Sequence, residues 1–377
     1  MKFVLAPDSF KESMTAKEAA EAMERGIKKV MPEAECILVP MADGGEGTVQ
    51  SLVDATNGKI IEVKVTGPKG DKVNAIFGLL GDGETAVIEM ASASGIHLVQ
   101  KEERNPLLTT TYGTGELIKA ALDKGVKRIF IGIGGSATND GGAGMIQALG
   151  AKLLDEEGKE LAFGGGSLDR LNKIDLSGLD ARLKDVIVEV ACDVTNPLTG
   201  KTGASHVFGP QKGASPEMVE KLDENLAHYA EVIKKELGKD IENIPGAGAA
   251  GGLGAGLMAF LGAELKRGVE LVIKYTSLEE KMQGADYVFT GEGSIDFQTV
   301  FGKTPYGVSI TAKKLGIPVI AFAGRIGEKV EVLYENGINS IVGIMPGAAS
   351  IEEALVQGSA NLERASENIA RILRITR

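Results

Sequence analysis

The sequence predicts an α/β protein: one domain built on a largely parallel sheet, and a second, mixed α/β domain. Three observations carry this. Short apolar runs alternate with amphipathic helical patterns toward both ends of the chain, as βαβ units require. These runs are continuous rather than alternating, as expected of strands covered on both faces. From 59 to 90, by contrast, three strand-like runs follow one another with glycine-rich turns at 67–70 and 81–83 and no helix between, which reads as an antiparallel meander.

Strands are expected at 2–6, 35–39, 128–133, 186–191, 287–290, 319–323 and 340–344. Helices are expected at 15–30, 46–56, 115–124, 142–149, 217–237, 305–315 and 352–372. Thr15 followed by Glu18 is a capping box that opens the first helix. Residues 1–60 and 286–377 read as one discontinuous α/β domain, and 61–285 as a second domain, with antiparallel hairpins, inserted into it.

The balance of 41 basic against 52 acidic residues gives a net charge of -11. That argues against nonspecific binding to nucleic acid or an anionic membrane, which needs clustered Lys and Arg. It leaves room for a small anionic substrate held by a few local donors. Trp is absent, so aromatic platforms for bases are not expected. Two cysteines, Cys36 and Cys192, are too few for a disulfide framework and fit a reduced cytoplasmic setting. The apolar run at 3–6 is too short for a signal peptide. Residues 245–263 carry no charge and are long enough for a membrane span; seven glycines among them favour a glycine loop entering a buried helix. A homo-oligomer remains open.

Glycine, 51 of 377 residues, is about double the ~7% of average usage. It concentrates after the predicted strands, together with Asp, Asn and Ser. Six such segments stand out: Pro7 to Ser13, Ala42 to Thr48, Gly134 to Gly142, Cys192 to Pro197, Gly291 to Asp296, and Gly324-Arg325. In open α/β sheets, ligands bind outside the carboxyl ends of the strands, so these segments imply one large crevice.

Familiar motifs can be tested directly. In a P-loop a glycine stands five residues before the Gly of Gly-Lys-Ser/Thr; ahead of Gly200-Lys201-Thr202 and Gly302-Lys303-Thr304 that place holds Thr195 and Phe297. Only three histidines occur, and HExxH and GxSxG are absent, which disfavours a histidine-ligated metal or a His-based triad. A dinucleotide fingerprint, GxGxxA at 132–137, keeps a nicotinamide (NAD)-dependent oxidoreductase as the alternative. The helix breakers at 138–142 weaken it, since in that fold the helix starts within the glycine motif. This loop and the run 246–252 read instead as places where backbone amides meet a phosphate or carboxylate.

Taken together, Ala6 to Ser13, Met41 to Thr48, Gly132 to Met145, Ala191 to Leu198, Val207 to Ala214, Pro245 to Gly254 and Thr290 to Gly293 with Asp296 and Gln298 resemble the bacterial glycerate kinase family. The resemblance runs in order over about residues 1–375. It implies a flavodoxin-like domain plus a restriction-enzyme-like one, and phosphorylation of D-glycerate by ATP. Family members make 2-phosphoglycerate, so that product is expected over 3-phosphoglycerate.

Phosphoryl transfer needs positioning, charge neutralisation and a group to take the hydroxyl proton. Mg2+ should bridge the phosphates, held by one or two carboxylates and water. The candidates for metal ligand are Asp43, Asp193, Glu292 and Asp296. Asp193 is the first choice for general base, because no obvious helix follows it to cap, and Asp43 is the second. Lys11, in a tight loop with Asp8 and Ser9, is expected to bind phosphate or carboxylate; Lys212 and Lys303 are further basic candidates, and Arg325 would clamp the carboxylate. Gly134, Gly135, Ser136 and Asn139 in one loop, Gly246, Gly248 and Gly251 in another, and Gly291 complete the expected binding set.

Overall fold

The computed structural model describes residues 1–375 and divides into two units: Met1–Gly58 with the segment from Gly268 onward, and Lys59–Arg267. Along the chain the strands are β1 (Lys2–Leu5) and β2 (Glu35–Leu38), then β3 (Lys59–Thr66), β4 (Lys72–Leu79), β5 (Thr85–Glu89) and β6 (Arg128–Gly132). There follow β7 (Lys152–Leu154), β8 (Lys173–Asp175), β9 (Ile187–Ala191), β10 (Glu264–Lys266), β11 (Tyr287–Ile295), β12 (Val319–Ile326) and β13 (Ile338–Gly343).

The first unit is a five-stranded parallel sheet in the order β13-β12-β11-β1-β2. This is the flavodoxin-like order, in which the chain leaves β1 first to one side and then to the other, making a switch point there. The inner strands are apolar at their centres because both faces are covered there: Val4, Phe289 and Phe322 are fully buried. The helix Ala16–Val30 starts at the expected capping box, in which Glu18 N donates to Thr15 Oγ1 at 3.2 Å and Thr15 N to Glu18 Oε2 at 2.8 Å.

Two expectations are revised in this unit. β11 and β12 run on to Ile295 and Ile326, because Glu292 pairs with Ala323 and Ser294 with Arg325. The segments read as loops from their glycines are therefore strand. The C-terminal helix is two helices, Ile351–Val356 and Gly358–Ile375. The break has a tertiary cause: Ser13 Oγ donates to the Leu355 carbonyl at 2.6 Å, and a Cβ at Gly358 would lie 2.0 Å from Ser13 Oγ.

The second unit is a six-stranded sheet in the order β10-β9-β6-β5-β4-β3. β3, β4 and β5 form the antiparallel meander, and β5, β6, β9 and β10 are parallel. The hairpin β7-β8 and the strand β10 were not anticipated; each is three residues long, too short to show a period. The uncharged stretch becomes the helical segment Ala249–Leu261, kinked at its start by left-handed backbone at Ala250, Gly251 and Gly252 and buried through Leu253 and Leu257. Among the described residues no helix is long and apolar enough to cross a membrane.

Candidate functional site

A cavity of about 420 Å3 opens at the carboxyl ends of the first unit's strands. Its charged lining comes from Asp8 and Lys11 after β1, Asp43 and Glu46 after β2, Glu292 on β11, and Lys303. The local fold holds each in place. Asp8 Oδ1 accepts from Ser9 N at 2.6 Å and Oδ2 from Thr304 Oγ1 at 2.5 Å, while Asp43 Oδ1 accepts from Gly45 N at 3.0 Å. Glu292 lies 3.6 Å from Lys303 and takes a hydrogen bond from Thr299 Oγ1 at 3.2 Å.

Burial and mutual repulsion set the electrostatics. Asp8 is pushed up to about 6, first by desolvation and then by the charge of Asp43, against the bond from Thr304. Glu292 is pushed up to about 7, again chiefly by burial, with Lys303 opposing and Asp8 and Asp43 adding to the rise. Carboxyls held this far from their ordinary range in a cavity are a mark of function. Among the described residues no three His, Cys, Asp or Glu side chains converge tightly enough to hold a metal ion by themselves.

The second unit carries a buried polar network around the loop after β6. Lys212 is 2% exposed, and its Nζ donates to Ser136 Oγ and to the Thr138 carbonyl, both at 2.7 Å. Burial brings its ammonium down to about 7, with the charge of Asp140 opposing. Asp140, fully buried, accepts from Thr111 N and Oγ1 at 2.8 and 2.9 Å and from Gly142 N at 3.2 Å. Desolvation raises its carboxyl in spite of those bonds. Asn139 Nδ2 donates to Ser205 Oγ at 2.8 Å.

Of the residues expected from sequence, Asp8, Ser9, Lys11, Asp43, Glu292 and Lys303 meet in the first unit's cavity. Gly291 is buried in β11, where a Cβ would lie 2.4 Å from the Phe322 carbonyl. Asp296 is used as a helix cap, accepting from Gln298 N at 2.8 Å. Arg325 is an exposed residue of β12 rather than of a loop. In the second unit, Ser136, Asn139 and Lys212 share the buried network, while Gly134 and Gly135 are exposed beside it. Asp193 is exposed just past β9.

In the run 246–252, two of the expected amides are engaged within the protein. The N–H groups of Gly246 and Gly248 both donate to the Asn196 carbonyl, at 3.2 and 3.0 Å. Gly251 is glycine because its backbone presses on another segment: a Cβ there would sit 2.0 Å from the Thr138 carbonyl oxygen. Lys212 clamps the 134–139 loop, with two of its three donors taken inside the protein. The dinucleotide reading of 132–137 fails on geometry as well, because the next helix starts only at Ala143. Thr304 and Ser13 were missed; each is an ordinary hydroxyl whose role depends on a partner far along the chain.

A family model described as the glycerate kinase family matches residues 3–374. The chain is 57% identical over 377 residues to a glycerate kinase of Bacillus subtilis (strain 168), covering 100% of this chain and 99% of the relative. It is 56% identical over 375 residues to a glycerate 2-kinase of Escherichia coli (strain K12), covering 100% and 98%. A crystal structure described as a glycerate kinase 2 of Salmonella typhimurium LT2 superposes with a TM-score of 0.93 at 52% identity, covering 100% of this chain and 99% of that one.

Proposed function

Because the chain belongs to the glycerate kinase family, we propose that it transfers the γ-phosphate of ATP to the 2-hydroxyl of D-glycerate, giving 2-phosphoglycerate and ADP. The observation that carries the reading is the first unit's cavity, where four carboxylates and two lysines gather at the switch point of a parallel sheet. Such a set suits a reaction whose protein contribution is positioning and charge balance.

Mg2+ fits this chemistry. The charge of Asp43 raises the proton affinity of Asp8, and Asp8 and Asp43 together raise that of Glu292; a cation among them would relieve that repulsion. With no closed cage, the ion would be held by one or two of these carboxylates and completed by phosphate oxygens and water. When bound it would neutralise phosphate charge. Lys11 and Lys303 would bind phosphate, and the exposed backbone at Gly134 and Gly135 leaves room for an anion beside the second unit's loop. Asp193 is proposed as the general base, being an exposed carboxylate at a strand end.

The experiment is a phosphorus NMR spectrum of purified protein with ATP, Mg2+ and D-glycerate. A 2-phosphoglycerate resonance appearing with ADP is expected. ATP left intact would remove the kinase reading; 3-phosphoglycerate would remove only the regiochemistry.

A further inference from the structure

The first unit's cavity changes character from one end of the sheet to the other. On the β2 and β1 side stand Asp43, Glu46, Asp8 and Lys11, and at β11 the Glu292–Lys303 pair. On the β13 side the wall is aliphatic: Ile344 and Met345 after the strand, then Ile351, Ala354 and Leu355 of the helix Ile351–Val356. That helix buries none of its residues, and Ile351 is 76% exposed. It is nevertheless tied down, through the Ser13–Leu355 hydrogen bond.

Resting on the kinase reading above, we infer that this cavity is the nucleotide site, with the purine against the aliphatic wall at β13 and the phosphates toward Lys11 and Lys303. Four arguments support it. The volume, about 420 Å3, falls in the ~300–1,000 Å3 range of pockets for drug-sized ligands. D-Glycerate is far smaller than that. It also carries oxygen on every carbon, so an aliphatic wall would strip water from its polar groups and return no hydrogen bond. A nucleoside triphosphate has one flat, largely apolar end and one polyanionic end, which is the order of surfaces met along the sheet edge. An exposed aliphatic patch beside a charged floor is also the kind of surface that a ligand covers.

The test uses Ala354→Trp, which fills the aliphatic end, and Leu355→Ala, which removes part of the wall. Both positions are only half-buried, so the core is spared, and thermal melts check folding. Steady-state kinetics are measured with ATP and D-glycerate varied in turn, alongside calorimetric titration with ADP. Ala354→Trp is expected to raise the KM for ATP and the Kd for ADP by at least about tenfold, and Leu355→Ala by about threefold. The KM for D-glycerate should stay within about twofold of wild type. A rise confined to D-glycerate, an equal rise for both substrates, or no change in either would overturn the assignment. If wild type turned over no D-glycerate but Ala354→Trp still weakened ADP binding, the nucleotide site would stand and the kinase reading would fall.

Discussion

Glu292 and Lys303 stand 3.6 Å apart in the first unit's cavity, yet the ion pair does not bring the carboxyl down. Burial, with Asp8 and Asp43 close by, carries Glu292 up to about 7 from an ordinary 4.5. Between those values the folded protein holds a proton that the unfolded chain has released. Stability therefore falls as pH rises through that window. Glu292→Gln has no proton to lose. In the absence of ligands it should melt close to wild type near pH 4.5 and above it at pH 8, by at most about 3 kcal/mol. Thermal melts at the two pH values check this; an equal difference at both would show that the site stores no such repulsion. Asp8→Asn should behave alike over a window from about 4 to about 6.

Lys212 gives the opposite slope. Its ammonium is held down to about 7 from 10.5 by burial. From pH 7 to 10.5 the unfolded chain therefore binds the proton that the native protein lacks, and this group's contribution to stability grows with pH. Lys212→Met should flatten that rise. It should also leave the Thr138 carbonyl without its buried donor, a loss of about 1–3 kcal/mol. Hydrogen exchange at the 136–139 amides is the direct readout: faster exchange is expected, and unchanged exchange would show that the lysine does not hold the loop.

Gly251 and Gly134 separate packing glycines from exposed ones. Gly251 has φ +69 and no room for a Cβ, whereas nothing lies within 4 Å of a Cβ at Gly134. Gly251→Ala should cost on the order of 3–5 kcal/mol and lower the Tm sharply. Gly134→Ala should melt like wild type, with any loss appearing in kcat/KM. Equal Tm values for the two variants would refute the distinction.

Asp193→Asn should depress kcat by about 10²–10⁴. Because the residue is exposed, the Tm should barely move. Turnover within a factor of a few of wild type would remove Asp193 as the base and turn attention to the carboxylates of the first unit's cavity.

Strands sandwiched between helices were easy to read, because burial on both faces leaves no choice but continuous apolar runs such as 128–133 and 319–323. The meander was legible from its turns. What the chain did not disclose depends on pairing across distance. Gly291, Gly293 and Gly324 look like turn residues, but cross-strand bonds extend β11 and β12 through them. Lys212 sits between Gln211 and Gly213, a context that reads as surface, and only the fold reveals it as fully enclosed. The acids and lysines of the first unit's cavity were individually visible, whereas the aliphatic wall looked like an ordinary amphipathic helix. The split at Gln357 was hidden because its cause is a serine 342 residues away from Leu355.

The strand order has a consequence for how the protein is made. β1 lies between β2 and β11, and Lys2 N donates to Asp286 Oδ2 across 284 residues. At ~5–20 residues per second of synthesis, roughly a quarter of a minute to a minute separates the two partners at the ribosome. For that interval the N-terminal segment has emerged with one side of its first strand unpaired, and the whole of Lys59–Arg267 is synthesised before Asp286 appears. The part of the chain that is born first is thus completed last, and its open strand edge is the nascent protein's exposure to aggregation.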